Sequence, residues 1–183
     1  MKHLLFFEGA VDNTSLENLL DSLSSSNSPR LVYVNSPGGK IDHLMPLVPA
    51  IEAKKIITAG DAVGSAAVIL FLLGYPRYAF PESSFYFHKV SGGDGMIETW
   101  TDIEVQRILK SKELSEEVLL FFKEWFRDIR NAQSWVIDFM SEKTGTSKEV
   151  FTKLMDNEIT LSIREAIQFG LVHKVLQKDA IKF

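Results

Sequence analysis

Leu31-Val32-Tyr33-Val34-Asn35-Ser36-Pro37-Gly38-Gly39 decides how the rest of the chain is read. Its first four residues favour β structure and show no polar alternation, as expected of a strand covered on both faces. The run stops at Asn-Ser-Pro-Gly-Gly, the strongest turn signal in the sequence. Two successive glycines leave backbone amides unobstructed, which suits either a plain tight turn or an oxyanion hole.

Outward from this stretch, strand and helix signals alternate. Towards the N-terminus, residues 4–7 form a short apolar strand, and a capping box at Thr14 and Glu17 opens a helix that fades in the serine run at 22–28. Towards the C-terminus a helix is expected over 41–53, against the resistance of Pro46 and Pro49, then a strand over 55–58. Residues 64–73 are rich in Ala and Leu with no polar face to be solvated, so they predict a buried helix. Strands follow at 77–80 and 84–88, and then the loop Ser91-Gly92-Gly93-Asp94-Gly95. From 96 to 144 there is neither Gly nor Pro, and Val118, Phe122, Trp125 and Ile129 recur at spacings of four, three and four beside Leu119 and Phe126. That is one face of a helix with a heavy aromatic load. A helix at 148–155, a strand at 159–161, a capping box at Ser162 and Glu165 and a last strand at 171–176 complete the chain. The alternation predicts one α/β domain over 1–183 with a helical excursion at about 100–145.

Composition removes several functional classes. With 183 residues, 45% hydrophobic and 24% charged, the chain is neither disordered nor collagen-like, and its net charge of −4 argues against nucleic-acid binding. The absence of cysteine excludes disulfides, a thiolate nucleophile and a zinc ribbon. The longest apolar run, at 62–73, falls short of the roughly 20 residues a membrane span needs, and the N-terminus lacks a signal-peptide cleavage site. A cytoplasmic protein without membrane contact is the expectation. His3, His43, His88 and His173 show no paired metal-ligand spacing, so neither a metal nor a cofactor is expected.

Ser65, in Asp61-Ala62-Val63-Gly64-Ser65-Ala66-Ala67, opens the apolar helix. It reads either as a helix cap or as a nucleophile, with Gly60 and Gly64 permitting a tight backbone turn and Ala66 and Ala67 leaving room for a substrate. His88 closes the strand Phe85-Tyr86-Phe87-His88 before the glycine-rich loop. An imidazole there can face a cleft and transfer protons, or it can be a half-buried structural histidine.

In order, these features are the Asn-Ser-Pro-Gly-Gly turn, the Gly-x-x-x-Gly-Ser-Ala-Ala helix start, Pro81-Glu82-Ser83-Ser84-Phe85-Tyr86-Phe87-His88, and Leu161-Ser162-Ile163-Arg164-Glu165-Ala166-Ile167-Gln168-Phe169-Gly170-Leu171-Val172. That order resembles the ClpP-like serine peptidases, the proteolytic subunits of Clp machines, over residues 4–176 apart from the helical insertion. The resemblance implies a ClpP/crotonase-like core of repeated β-β-α units wound in a spiral, with an extended helical handle. It implies Ser65 as nucleophile, His88 as general base, the amides of Gly39 and Ala66 as oxyanion hole, and Gly38, Lys40 and Ile41 as the edge that takes an extended peptide. The family's acid position is held here by Glu158, with Asp156 two residues earlier as the alternative. The implied reaction is peptide-bond hydrolysis on a peptide or unfolded chain.

Three departures from the family accompany this. Gly60 lies five residues before Ser65 where the family has four. The chain starts almost directly in its first strand, so a Clp ATPase partner is not expected. The segment from Thr101 to Gly145 is about twenty residues longer than the family's handle, and its aromatic residues predict a homo-oligomer joined through the handle helices. The rival readings are an inactive or weak peptide-binding member of the fold, a crotonase-like acyl-CoA enzyme, and a serine peptidase using Lys40 or Lys89 as base.

Overall fold

The computed structural model describes residues 4–25, 30–92, 100–110 and 114–177. Its centre is a sheet in the order β1 (Leu4–Val11), β2 (Leu31–Gly39), β3 (Ile57–Gly64), β4 (Arg77–Tyr86). These four strands are parallel, each carried to the next by helical segments: α1 (Asn13–Ser24), the pair α2 (Ile41–Leu44) and α3 (Val48–Glu52), and α4 (Ala66–Leu72). After β4 come β5 (Ser91–Gly92), β6 (Trp100–Thr101), α5 (Asp102–Leu109) and the long α6 (Glu116–Thr144), and of these β5 and α6 line the other side of the cleft described below. The chain then returns through α7 (Lys148–Asp156), β7 (Thr160–Ser162), α8 (Ile163–Gln168) and β8 (Lys174–Val175), and both β7 and β8 pair with β4.

Each parallel pair slips register at the same level, between Glu8 and Ala10, Val34 and Ser36, and Gly60 and Ala62. Every one of these strands is therefore two segments joined by a bulge, the repeated β-β-α unit that the family resemblance implies. Bulges bend a strand and re-aim its side chains. The second segments, at 36–39, 62–64 and 84–86, lead directly into the site. Ser83 seals the bulge in β4: its hydroxyl donates to the Gly60 carbonyl at 2.7 Å and accepts from the Phe80 amide at 2.8 Å.

Several local expectations change accordingly. The Asn-Ser-Pro-Gly-Gly stretch does not end its strand; it continues β2 while pairing with both neighbours. The strands expected at 77–80 and 84–88 are one strand with a bulge. The first helix is capped by Asp12 and Ser15 and not by Thr14 and Glu17, because the Asp12 carboxylate takes the Ser15 amide at 2.8 Å. The helix expected over 41–53 breaks into two, with a 3-10 turn at Met45–Leu47 where Pro46 and Pro49 intervene. The first helix runs on through Ser22 and Ser24 of the serine run, whose residues 26–28, like residues 93–95 of the glycine-rich loop, lie outside the described residues.

The buried helix over 64–73 holds as expected: every residue of α4 is buried. Phe71 packs on Phe85 of β4 with ring centroids 5.1 Å apart. Side chains of this size contribute roughly 1.5–3 kcal/mol each on burial, so α4 is a rigid post under Ser65. A second fixture is Arg77, 4% exposed, whose guanidinium donates to the carbonyls of Leu171 (2.6 Å), Gly170 (2.9 Å) and Lys143 (3.1 Å). It ties the end of α6 and the C-terminal return to the sheet.

Candidate active site

Ser65 stands at the N-terminus of α4, but its hydroxyl caps nothing. Its backbone has φ 52° and ψ −128°, a conformation that costs a non-glycine residue about 1–3 kcal/mol and persists only where the surroundings impose it. They do so here. The Ser65 amide donates to the Tyr86 carbonyl at 2.9 Å. Gly38, at φ +100°, lies so close that a Cβ on it would fall 2.5 Å from Ser65 Cβ, 2.6 Å from the Gly64 carbonyl oxygen and 2.9 Å from the Ala66 nitrogen. On Gly64 a Cβ would meet the Pro37 carbonyl oxygen at 2.8 Å. The glycine turn of β2 and the start of α4 are thus fitted backbone to backbone, which explains why those two motifs occur together in one sequence.

The imidazole reaches this point from β4. Ser65 Oγ and His88 Nε2 are 2.7 Å apart. Residues 85 and 87 are buried while 86 and 88 turn the other way, by the two-residue period of extended chain. The segment after His88 is held to α6, because Gln133 Oε1 accepts the Val90 amide at 2.7 Å.

The acid is not brought in. β4 and β7 pair as Ser84 with Ser162, Phe85 with Leu161 and Tyr86 with Thr160. One step on, the Phe87 amide donates to the Ile159 carbonyl at 2.9 Å. Counted one step further, Glu158 would fall opposite His88, but the ladder has ended there and neither residue is in a strand. Glu158 is exposed, in a left-handed turn at φ 51°, and among the described residues no carboxylate forms a hydrogen bond or ion pair with His88. Asp156 is turned to Lys89, with Nζ and Oδ1 3.2 Å apart, so the alternative acid and one alternative base occupy each other.

A cleft of about 670 Å³ opens over Ser65 and His88. Gly39, Lys40 and Ile41 line it, as does Ala66; Gly38 is buried behind Ser65 instead. The Lys40 amide is already bonded to the Val11 carbonyl at 2.8 Å, and Ile41 starts α2, so the chain after Gly39 turns away as helix. Ala66 is the first residue of α4, where an amide has no partner within the helix. The far wall is apolar: Ile69 of α4, Ile129, Val136 and Met140 of α6, and Met155 of α7. Those wall residues escape sequence reading, since they read only as core. Their shared helical face on α6 is a signal, but not one that distinguishes core from cleft.

Fold and site together define a class: a bulged parallel α/β spiral with a hydroxyl–imidazole pair set against a double-glycine turn. The chain belongs to the Clp protease family, whose model matches residues 4–121 and 122–179. It is 25% identical over 184 residues to the ATP-dependent Clp protease proteolytic subunit 2 of Pseudomonas aeruginosa, covering 96% of this chain and 81% of that one. The Gluconobacter oxydans protein of the same name is 28% identical over 186 residues, with 96% and 74% covered. Among solved structures, a point mutant of ClpP1 from Listeria monocytogenes superposes with a TM-score of 0.70 at 20% identity, covering 98% of this chain and 95% of that one. No helix among the described residues is long and apolar enough to cross a membrane.

Proposed function

We propose that this chain is a serine peptidase in which Ser65 and His88 carry the chemistry as a pair. The observation that carries this reading is the 2.7 Å contact between Ser65 Oγ and His88 Nε2 at the floor of the cleft. Ser65 Oγ attacks the peptide carbonyl carbon as its proton passes to His88 Nε2. The amides of Gly39 and Ala66 receive the oxyanion, a contribution on the order of 3 kcal/mol per donor. Collapse expels the amine, which takes the proton from His88, and water then releases the acyl group by the same route. Glu158, past the end of the β4–β7 ladder, does not bond His88 and acts only as a distant negative charge. The Ile69, Ile129, Val136 and Met155 wall suits an apolar side chain next to the scissile bond.

No step of this chemistry consumes nucleotide, so short peptides are cut without ATP. In the N-terminal turns of α6, Leu120 and Phe121 are more than half exposed, and the Trp125 ring lies tilted beside those of Phe121 and Phe122. An apolar strip of this kind fits a subunit interface, and we read the working form as a homo-oligomer.

The test is hydrolysis of fluorogenic peptides with apolar residues before the reporter, together with fluorophosphonate labelling. Ser65→Ala is expected to lower turnover by about four orders of magnitude or more and to abolish labelling. Undiminished turnover in that variant would overturn the proposal.

A further inference from the structure

The imidazole of a serine peptidase has to be held in one plane and relieved of its charge once protonated, and a hydrogen-bonded carboxylate ordinarily does both. Here, among the described residues, no carboxylate bonds His88, yet His88 is not unsupported. Tyr86, two residues earlier on the same side of the extended chain, lays its ring along the imidazole, with centroids 5.5 Å apart and planes 24° from parallel. That is an offset-stacked arrangement, and its geometry fixes the tilt of the imidazole. An aromatic face also attracts a cation through its quadrupole. The ring thus stabilises the imidazolium formed when Ser65 gives up its proton, more than it stabilises the neutral base. The same residue's carbonyl accepts the Ser65 amide at 2.9 Å, so position 86 holds both reacting partners, one by backbone and one by side chain.

We infer that Tyr86 is the positioning residue for His88, taking over through its ring face the orienting and charge-stabilising work of a carboxylate contact. The inference rests on the Ser65–His88 reading above. It also accounts for an aromatic ring that is 37% exposed at the cleft when the core could have taken it. The phenol hydroxyl has no part in the argument; the ring face does. Because position 86 is at the surface and its backbone bond survives substitution, variants there are expected to fold.

The experiment compares kcat and KM for peptide hydrolysis in the wild type, Tyr86→Leu and Tyr86→Phe, with the fluorophosphonate labelling rate as a second readout that needs no turnover. Tyr86→Leu is expected to lower kcat and the labelling rate on the order of 10-fold with KM within about twofold, and Tyr86→Phe to stay near wild type. Full activity in Tyr86→Leu overturns the inference. So does a rise in KM alone, which would make Tyr86 a substrate contact, and so does a loss in Tyr86→Phe equal to that in Tyr86→Leu, which would assign the work to the hydroxyl. Failure of the underlying reading looks different: Ser65→Ala then hydrolyses like the wild type, or the wild type neither hydrolyses nor labels, and the role of Tyr86 falls with it.

Discussion

Ser65 and Glu158 share an unusual backbone, with φ 52° and 51°, but their surroundings differ completely. Ser65 is enclosed by two glycine contacts and a 2.9 Å amide bond to Tyr86, above a helix whose every residue is buried. Glu158 sits exposed in a turn where its amide makes one long bond, 3.4 Å, to the Met155 carbonyl. A left-handed residue signals function only when its neighbours leave it no alternative. By that measure the Ser65 side of the proposed site is over-determined, while among the described residues no carboxylate is built onto the His88 side. The sharpest way to break that contrast is Gly38→Ala. The added methyl would meet backbone and Cβ atoms at 2.5–2.9 Å with no flexible side chain to yield, at a residue already at φ +100°. We expect kcat/KM to fall at least about 100-fold, the cost of one misplaced oxyanion donor, with reduced thermal stability. An alanine variant as active as the wild type would mean that the turn does not set the position of Ser65.

The link between α6 and the segment after His88 is of intermediate strength. Removing the acceptor with Gln133→Ala leaves the half-buried Val90 amide without its 2.7 Å bond. A bond of this kind contributes about 1 kcal/mol, so kcat is expected to fall roughly 5-fold. Gln133→Glu, which keeps an acceptor at the same reach, is expected to recover most of the loss. Equal losses in both variants would show that packing of the side chain, and not the bond, carries the effect.

This gradient also separates what could be read in the sequence from what could not. Ser65, the Gly38–Gly39 pair and His88 were legible as candidate positions from a glycine pair, a serine ahead of an all-apolar helix and a histidine closing a strand, while their roles were read only from the order of motifs that carries the family resemblance. Continuous strands hid behind turn signals at residues 35–39 and 81–83, since a bulge uses the same residue types as a turn. Tyr86 and Gln133 carried no mark of their own. A tyrosine two residues before a histidine matters only once the strand's alternation is known, and a glutamine on a long helix only once that helix is packed beside residue 90. The acid position was legible as a place in the order of motifs, but the backbone of a three-residue strand and its turn depends on long-range pairing that local sequence does not encode.

The smallest expected effect is the most telling. Where a carboxylate bonds the catalytic imidazole, replacing it by the amide costs about 10⁴-fold in kcat, because the amide enforces the wrong tautomer. Glu158→Gln removes only a charge. Glu158 is exposed, and across water-like dielectric a unit charge even as near as about 4 Å is worth about 1 kcal/mol, less when farther, and is screened by salt. The expected loss is therefore at most about 5-fold at low salt and vanishes as salt is raised. A loss above about 100-fold at unchanged KM, insensitive to salt, would show that the Glu158 carboxylate closes on His88 when substrate binds. Position 158 would then become part of the same rigid unit as Ser65, and the turn that holds Glu158 would be the hinge of that closure.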